Sequence, residues 1–172
     1  MTKNDITSEF LKDCMAGAVI KLLEQWPLEK IQVKQICDAS GYHRASWFRS
    51  FRSKSEAVTY HLVRLWEQWS KRHGVAIRDD FDIEQAEDFF LYNYEVRNTL
   101  RLLYRRGLMP ELAASFTTVL VDPHAHDPSR AYQASIFAFS LFGILREWII
   151  RDFDLTPSEM AEIIRAATAR MV

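Results

Sequence analysis

The segment from Ile36 to Val58, ICDASGYHRASWFRSFRSKSEAV, constrains the fold of this chain more than any other. Apolar spacing predicts a short helix over about Val33–Ala39. Gly41 follows, and glycine adopts a positive φ at little steric cost, which ends the helix in a tight turn. A second short helix is predicted over about Arg44–Phe51. Two short helices joined by a glycine turn form the framework of a helix-turn-helix.

The charge of this segment favours a polyanionic partner. Ser53 and Glu56 have the N-cap and N3 spacing of a capping box, so the next helix is predicted to start near Lys54 and to run to about His73. No acidic residue lies between Asp38 and Glu56. The cations in that interval are Arg44, Arg49, Arg52 and Lys54. A basic helix behind a glycine turn is typical of the element that enters the major groove of DNA.

Helical periodicity extends over nearly the whole chain, without a convincing strand pair or internal repeat. Further helices are predicted over about Ser8–Gln25, Asp82–Arg106, Glu111–Leu120, Asp127–Arg151 and onward from Thr156. About eight helices make an all-α protein. We expect a DNA-binding domain of three helices over 1–54, followed by a helical bundle for regulation and dimerisation over 55–172. The helix over about 54–73 would bridge the two.

Composition and charge narrow the functional classes. Residues 1–55 carry nine Lys and Arg against six Asp and Glu, whereas the remainder carries thirteen against seventeen. This asymmetry predicts a polyanion partner for the N-terminal third alone. Cys14 and Cys37 lie in helical patterns among apolar residues, which favours buried, reduced thiols. No apolar signal region opens the chain, and no run of about 18–20 apolar residues is apparent. We therefore expect a soluble, cytoplasmic protein without a membrane partner.

The second short helix is expected to present its side chains to DNA. Trp47 and Phe51 are four residues apart and are predicted to anchor this helix inward. Lys54 lies at a helix N-terminus, where free N–H groups and the helix dipole also favour a phosphate. The complete set of DNA-binding candidates is Lys34, Tyr42, His43, Arg44, Ala45, Ser46, Phe48, Arg49 and Lys54. The alternative is an exposed basic hairpin that binds no ligand.

The run from Gly41 to Phe51 (GYHRASWFRSF), with Ile36 before it and Ser53-Lys54-Ser55-Glu56 after it, resembles the DNA-binding domain of TetR-type transcriptional regulators. The resemblance covers about residues 8–70. The segments Phe139–Trp148 and Leu155–Met160 also resemble the last two helices of many such regulators. The resemblance implies a homodimer that binds a palindromic DNA operator and responds to a small apolar or aromatic effector.

Four positions depart from the pattern of that family. His43 replaces the serine that usually caps the second short helix, and Gln32 replaces a capping threonine before the first. Phe48 replaces a tyrosine that commonly binds phosphate, and Ser50 replaces a frequent histidine. These replacements remove hydroxyl groups that bind phosphate in the family, so Arg44, Arg49 and Lys54 are expected to carry more of the electrostatic attraction.

Two further sets of residues are assigned only through the resemblance and apolar spacing. The dimer-interface candidates are Phe139, Phe142, Gly143, Arg146, Met160, Ile163, Ile164 and Ala167. The effector-pocket candidates are Phe89, Phe90, Tyr94, Tyr104, Phe116 and Phe137. Ordinary core packing explains the spacing of the second set equally well, and a central helix of a monomer remains an alternative for the first.

Metal and catalytic chemistry have little support in the sequence. A Pro-bounded loop contains Asp122, His124, His126 and Asp127, which could ligate zinc or nickel, although such residues usually form turns. No cofactor or metal is therefore expected, and no motif typical of a catalytic site occurs. The favoured hypothesis is a ligand-responsive repressor. The alternative is a co-regulator or structural nucleoid factor whose body binds a protein partner and no small molecule; a metal-responsive sensor is a weaker third.

Overall fold

A computed structural model describes residues 3–75, 86–122 and 127–168. These residues form nine α-helices, one 3₁₀ turn and no strand, which confirms the prediction of an all-α protein for the described part of the chain. The helices are α1 (Lys3–Leu23), α2 (Val33–Ser40), α3 (Arg44–Ser50), α4 (Lys54–His73), α5 (Ala86–Glu95), α6 (Arg97–Arg105), α7 (Met109–Leu120), α8 (Pro128–Ile150) and α9 (Pro157–Thr168), with the 3₁₀ turn at Leu28–Lys30.

Local capping signals set the ends of α2, α3 and α4 where the sequence predicts them. Gly41 has a φ of +76°, and its N–H donates to the carbonyl of Cys37, which closes α2. His43 caps α3 without a side-chain hydrogen bond. At the start of α4, the Ser53 hydroxyl accepts from the N–H of Glu56 at 3.0 Å. The Glu56 carboxylate accepts in turn from the N–H of Arg52 at 2.6 Å, one residue before the cap.

The single helix predicted over about 82–106 is wrong in the part that is described. Val96 leaves the helical conformation, with a φ of −91° and a ψ of 11°, and it separates α5 from α6. The first residues of the predicted helix, 82–85, lie outside the described residues. The start of α9 is as predicted, because Thr156 and Glu159 form both hydrogen bonds of a capping box.

One hydrophobic core runs across the predicted domain boundary. It contains buried residues from α1 to α3, such as Met15 and Trp47, together with residues of the body, such as Leu103 and Leu145. Helix α4 packs against α1 on one side and against α7 on the other, so it bridges the two parts of the chain. Helix α8 packs on α6 and α7, whereas α9 packs on α5.

An ion-pair network fixes α1 against α4. The Arg64 guanidinium donates to both carboxylate oxygens of Asp13, at 3.0 and 3.2 Å. The Tyr60 hydroxyl donates to the same carboxylate at 3.0 Å. Burial and this hydrogen bond raise the pKa of Tyr60. The partly buried Asp13 carboxylate is therefore the common acceptor that holds the two helices together.

Two further expectations concern the loop before α8 and the helix α8 itself. His124 and His126 of the predicted metal loop lie outside the described residues. Asp127 is the N-cap of α8, where its carboxylate accepts from the N–H of Ser129 at 2.9 Å. Helix α8 is long and apolar enough to cross a membrane by length and composition alone, a test that the core helix of a soluble protein also passes. Only 28% of its apolar window is buried, so much of this helix lacks a covering element among the described residues.

Candidate nucleic-acid interface

The inner face of α3 is fixed by aromatic packing. Trp47 and Phe51 are both buried, as predicted, with ring centroids 5.2 Å apart. The Phe51 ring also meets the edge of Tyr60 on α4, at 5.5 Å between centroids. Close packing of large rings leaves α3 little freedom to rotate. The opposite face of α3 is consequently held in one orientation.

The outer face of α3 presents cations and one phenyl ring to solvent. His43, Arg44, Ala45 and Arg49 are exposed, and Ser46 is half-buried. The Phe48 side chain is 61% exposed. The Arg44 guanidinium carbon lies 5.7 Å from the centroid of the Phe48 ring, within the range of a cation–π interaction. This contact aligns Arg44 along the exposed face.

Three other residues extend or limit this face. Lys34 is exposed on the first turn of α2. Tyr42 is half-buried and packs on the core, and burial together with a hydrogen bond to Cys14 raises the pKa of its phenol. Tyr42 is therefore less accessible to DNA than the sequence predicts. Arg52, which is exposed two residues after the end of α3, lies outside the predicted set, although its position between Asp38 and Glu56, where no acidic residue occurs, is a signal in the sequence.

The structure gives the Lys54 ammonium a different role from the predicted phosphate contact. Its nitrogen donates to the carbonyl oxygens of Leu28 at 2.6 Å, Ile31 at 2.8 Å and Glu29 at 3.2 Å. An ammonium has three N–H donors, so these carbonyls account for all of them. Lys54 thereby ties the start of α4 to the connection between α1 and α2.

An apolar stripe on α8 is the second surface of interest. Six exposed residues of α8 follow one another at spacings of three and four residues. They are Tyr132, Ile136, Phe139, Gly143, Arg146 and Ile150. Ile136 is 69% exposed and Phe139 is 56% exposed. Helical residues at this spacing share one face. We call this set the α8 stripe.

The structure corrects part of the predicted dimer interface. Met160 and Ile164 are only 6% and 8% exposed, because they face the core of their own chain. Phe142 is half-buried and meets Phe116 edge-on at 6.1 Å between ring centroids. Of the predicted residues on α9, Ile163 and Ala167 are exposed. An apolar spacing on α9 does not specify its neighbour, and part of that surface is covered by α5.

The predicted effector-pocket residues pack on one another as core. The rings of Phe89, Phe90 and Phe116 meet edge-on, with 5.2 Å between the centroids of Phe89 and Phe90 and 5.9 Å between those of Phe89 and Phe116. The rings of Tyr94 and Trp148 stack, with centroids 6.0 Å apart. Phe137 is half-buried against the same cluster. Tyr104 is exposed on α6. These contacts correspond to the core-packing alternative rather than to a cavity.

Comparisons with known proteins add no function to these surfaces. A scan against protein-family models finds no match to this chain, and no curated protein matches it. A function for these surfaces must therefore be argued from the residues they expose. On α3 these are a pair of exposed arginines beside a phenyl ring, and on α8 they form an exposed stripe of mainly apolar residues that also contains Arg146.

Proposed function

We propose that the protein is a sequence-specific DNA-binding regulator of the TetR type, which acts as a homodimer on a palindromic operator. The observation that carries the proposal is the two-sided character of α3. Its inner face is locked by Trp47 and Phe51, while Arg44, Phe48 and Arg49 project outward. A short helix held rigidly and charged on its outer face has the form of a major-groove reader.

The exposed side chains of α3 have chemistry suited to both parts of DNA recognition. Arg44 and Arg49 can pair with phosphates or with the O6 and N7 atoms of guanine. Ala45 and Phe48 offer apolar contact to a thymine methyl group. His43, which does not cap the helix through its side chain, is available to donate to a phosphate or a base. Loss of the family's tyrosine hydroxyl at Phe48 shifts this position from phosphate binding toward base contact.

The α8 stripe supports dimerisation. Exposed apolar surface on one helix costs free energy in water, and a second copy of the same stripe would cover it. Two recognition helices held in a symmetric dimer bind two half-sites, which multiplies the affinity for a palindrome. A change in the body that alters their separation or tilt would lower that affinity, and this is the mechanism we propose for regulation.

The salt dependence of duplex binding tests the role of α3. Arg44→Ala should weaken binding and reduce the slope of log K against log salt by about 2, since a dimer loses two phosphate contacts. Arg72→Ala is the matched control, because Arg72 is exposed near the C-terminal end of α4, about 27 Å along that helix from Lys54. Equal slopes for wild type and Arg44→Ala would overturn the assignment of α3.

The α8 stripe also supports a second candidate, a co-regulator whose body binds a protein partner. In that case the stripe of one chain would not be covered by a second copy. Sedimentation of the purified chain at micromolar concentration separates the two: a dimer supports the homodimeric reader, and a monomer that binds duplex DNA weakly favours the co-regulator.

A further inference from the structure

A cleft of about 510 Å³ lies between the C-terminal part of α1 and one face of α6. Ile20 of α1 and Glu24, directly after that helix, contribute to its wall. From α6 come Asn98, Leu102 and Arg105, which are spaced by four and three residues and so share one helical face. The volume falls within the range of small-molecule sites, about 300–1,000 Å³. The cleft is separate from the aromatic cluster of the core.

The lining of this cleft contains more arginines than acidic residues. Arg101, Arg105 and Arg106 line it together with one acidic residue, Glu24. Arg101 pairs with Asp152 at 2.6 Å. Arg105 is exposed and forms no ion pair or hydrogen bond within the described residues. An unpaired guanidinium beside a concave surface is suited to bidentate binding of a carboxylate or a phosphate.

The remaining lining adds selectivity for an organic anion over a simple ion. Leu102 is buried and Ile20 is half-buried, and both provide apolar surface. The side chains of Asn98 and Thr99 add neutral hydrogen-bonding groups. A site with a few polar groups on an apolar wall favours a ligand with a charged head and a short apolar body.

The cleft adjoins a hydrogen-bonded contact between Arg106, directly after α6, and the end of α1. Arg106 donates from Nε to the carbonyl of Leu23 at 2.7 Å and from Nη2 to the carbonyl of Glu24 at 2.9 Å. These carbonyls lie at the C-terminal end of α1. Helix α1 packs on α2, which packs on α3. A displacement of α1 relative to α6 would therefore reach the outer face of α3 through packed helices.

We propose that this cleft binds a small organic anion, with a carboxylate or phosphate head held by Arg105 and an apolar body on Ile20 and Leu102. Occupancy draws the guanidinium groups toward the anion and changes the contact between α6 and the end of α1. The effect on DNA affinity rests on the proposed function, whereas the binding site does not.

Nuclear magnetic resonance titration of the whole chain tests the site directly. Benzoate and phenyl phosphate serve as probes for the two head groups, and benzamide is the neutral control, all at constant ionic strength. At least one anion should shift the amide signals of Asn98 and Thr99 saturably, and benzamide should not. Arg105→Gln should weaken that binding at least fivefold, whereas Arg130→Gln, which removes an exposed arginine from the start of α8, should not. Absence of a saturable shift with both anions, or equal loss in the two variants, would overturn the site.

The regulatory step has its own readout. At an anion concentration equal to its dissociation constant for the wild type, the dissociation constant for duplex DNA should change measurably in the wild type, approaching at least threefold at saturation, and Arg105→Gln should need a correspondingly higher anion concentration for the same change. An anion that binds the cleft without altering DNA affinity would overturn the regulatory step. Failure of every form to bind DNA would instead count against the proposed function, and the amide titration would still decide whether the cleft is a site.

Discussion

Replacement of Lys54 by methionine separates a structural role from a DNA-binding one. The ammonium donates to three carbonyls of the α1–α2 connection, those of Leu28, Glu29 and Ile31. Methionine keeps most of the apolar stem and removes all three donors. The variant therefore tests whether this lysine holds the start of α4 to that connection or contacts phosphate.

The expected loss of unfolding free energy follows from the three hydrogen bonds and their exposure to solvent. A hydrogen bond to a charged group contributes about 1.5–3 kcal/mol, but the three share one ammonium, and the Glu29 carbonyl is exposed and can be rehydrated. We expect Lys54→Met to lower the free energy of unfolding by about 3 kcal/mol. For a chain of this size, that corresponds to a loss of about 6–12 °C in the melting temperature.

Urea denaturation followed by far-ultraviolet circular dichroism measures this loss. Lys30→Met is the matched control. Lys30 is exposed and lies in the 3₁₀ turn that contains the Leu28 and Glu29 carbonyls, and its side chain forms no hydrogen bond among the described residues. The control should change the unfolding free energy by less than about 0.5 kcal/mol. An unchanged free energy for Lys54→Met, together with a lower salt slope of DNA binding, would refute the structural role and restore the phosphate contact.

Three further perturbations test other parts of the structure. Asp13→Asn should destabilise the chain by about 2 kcal/mol in urea denaturation, because Arg64 and Tyr60 lose their common charged acceptor. Glu67→Gln, which changes the exposed partner of Arg64, is the control, and an equal loss of unfolding free energy in the two variants would contradict this. Burial lowers the pKa of His61, so the unfolded chain binds the proton more tightly and stability should fall as the pH drops below about 6.5. His61→Gln should reduce the difference between the urea midpoints at pH 7.5 and 5.5. An unaltered difference would exclude this histidine as a source of the pH dependence. Ile136→Glu should convert the proposed dimer to a monomer in sedimentation, whereas Leu91→Glu on α5 should not. A persistent Ile136→Glu dimer would exclude the α8 stripe as the interface.

Local signals explain why part of the fold is predictable from the sequence. The positive φ at Gly41, the Ser53 cap of α4 and the capping box at Thr156 each depend on residues within four positions of one another. The starts of α3, α4 and α9 are accordingly where the sequence predicts them. Inward anchoring of Trp47 is also predictable, because its spacing to Phe51 fixes the face they share.

The features that the sequence does not predict depend on distant contacts. No glycine or proline marks the break at Val96, and the residues on both sides have helical periodicity. The donors of Lys54 meet carbonyls 23 to 26 positions away. Apolar spacing on α9 likewise cannot show that Met160 faces the core of its own chain while Ile163 is exposed. In each case the partner is set by tertiary packing rather than by neighbouring sequence.

Selection of bound sequences from a pool of random duplex DNA tests the proposed function most directly. The outer face of α3 and a dimer formed through the α8 stripe together predict enrichment of a palindrome with two half-sites. The Arg44→Ala variant should lose this enrichment, and Arg72→Ala should retain it. A selection that enriches no sequence with the wild-type protein would contradict the account of α3 as a reader of DNA.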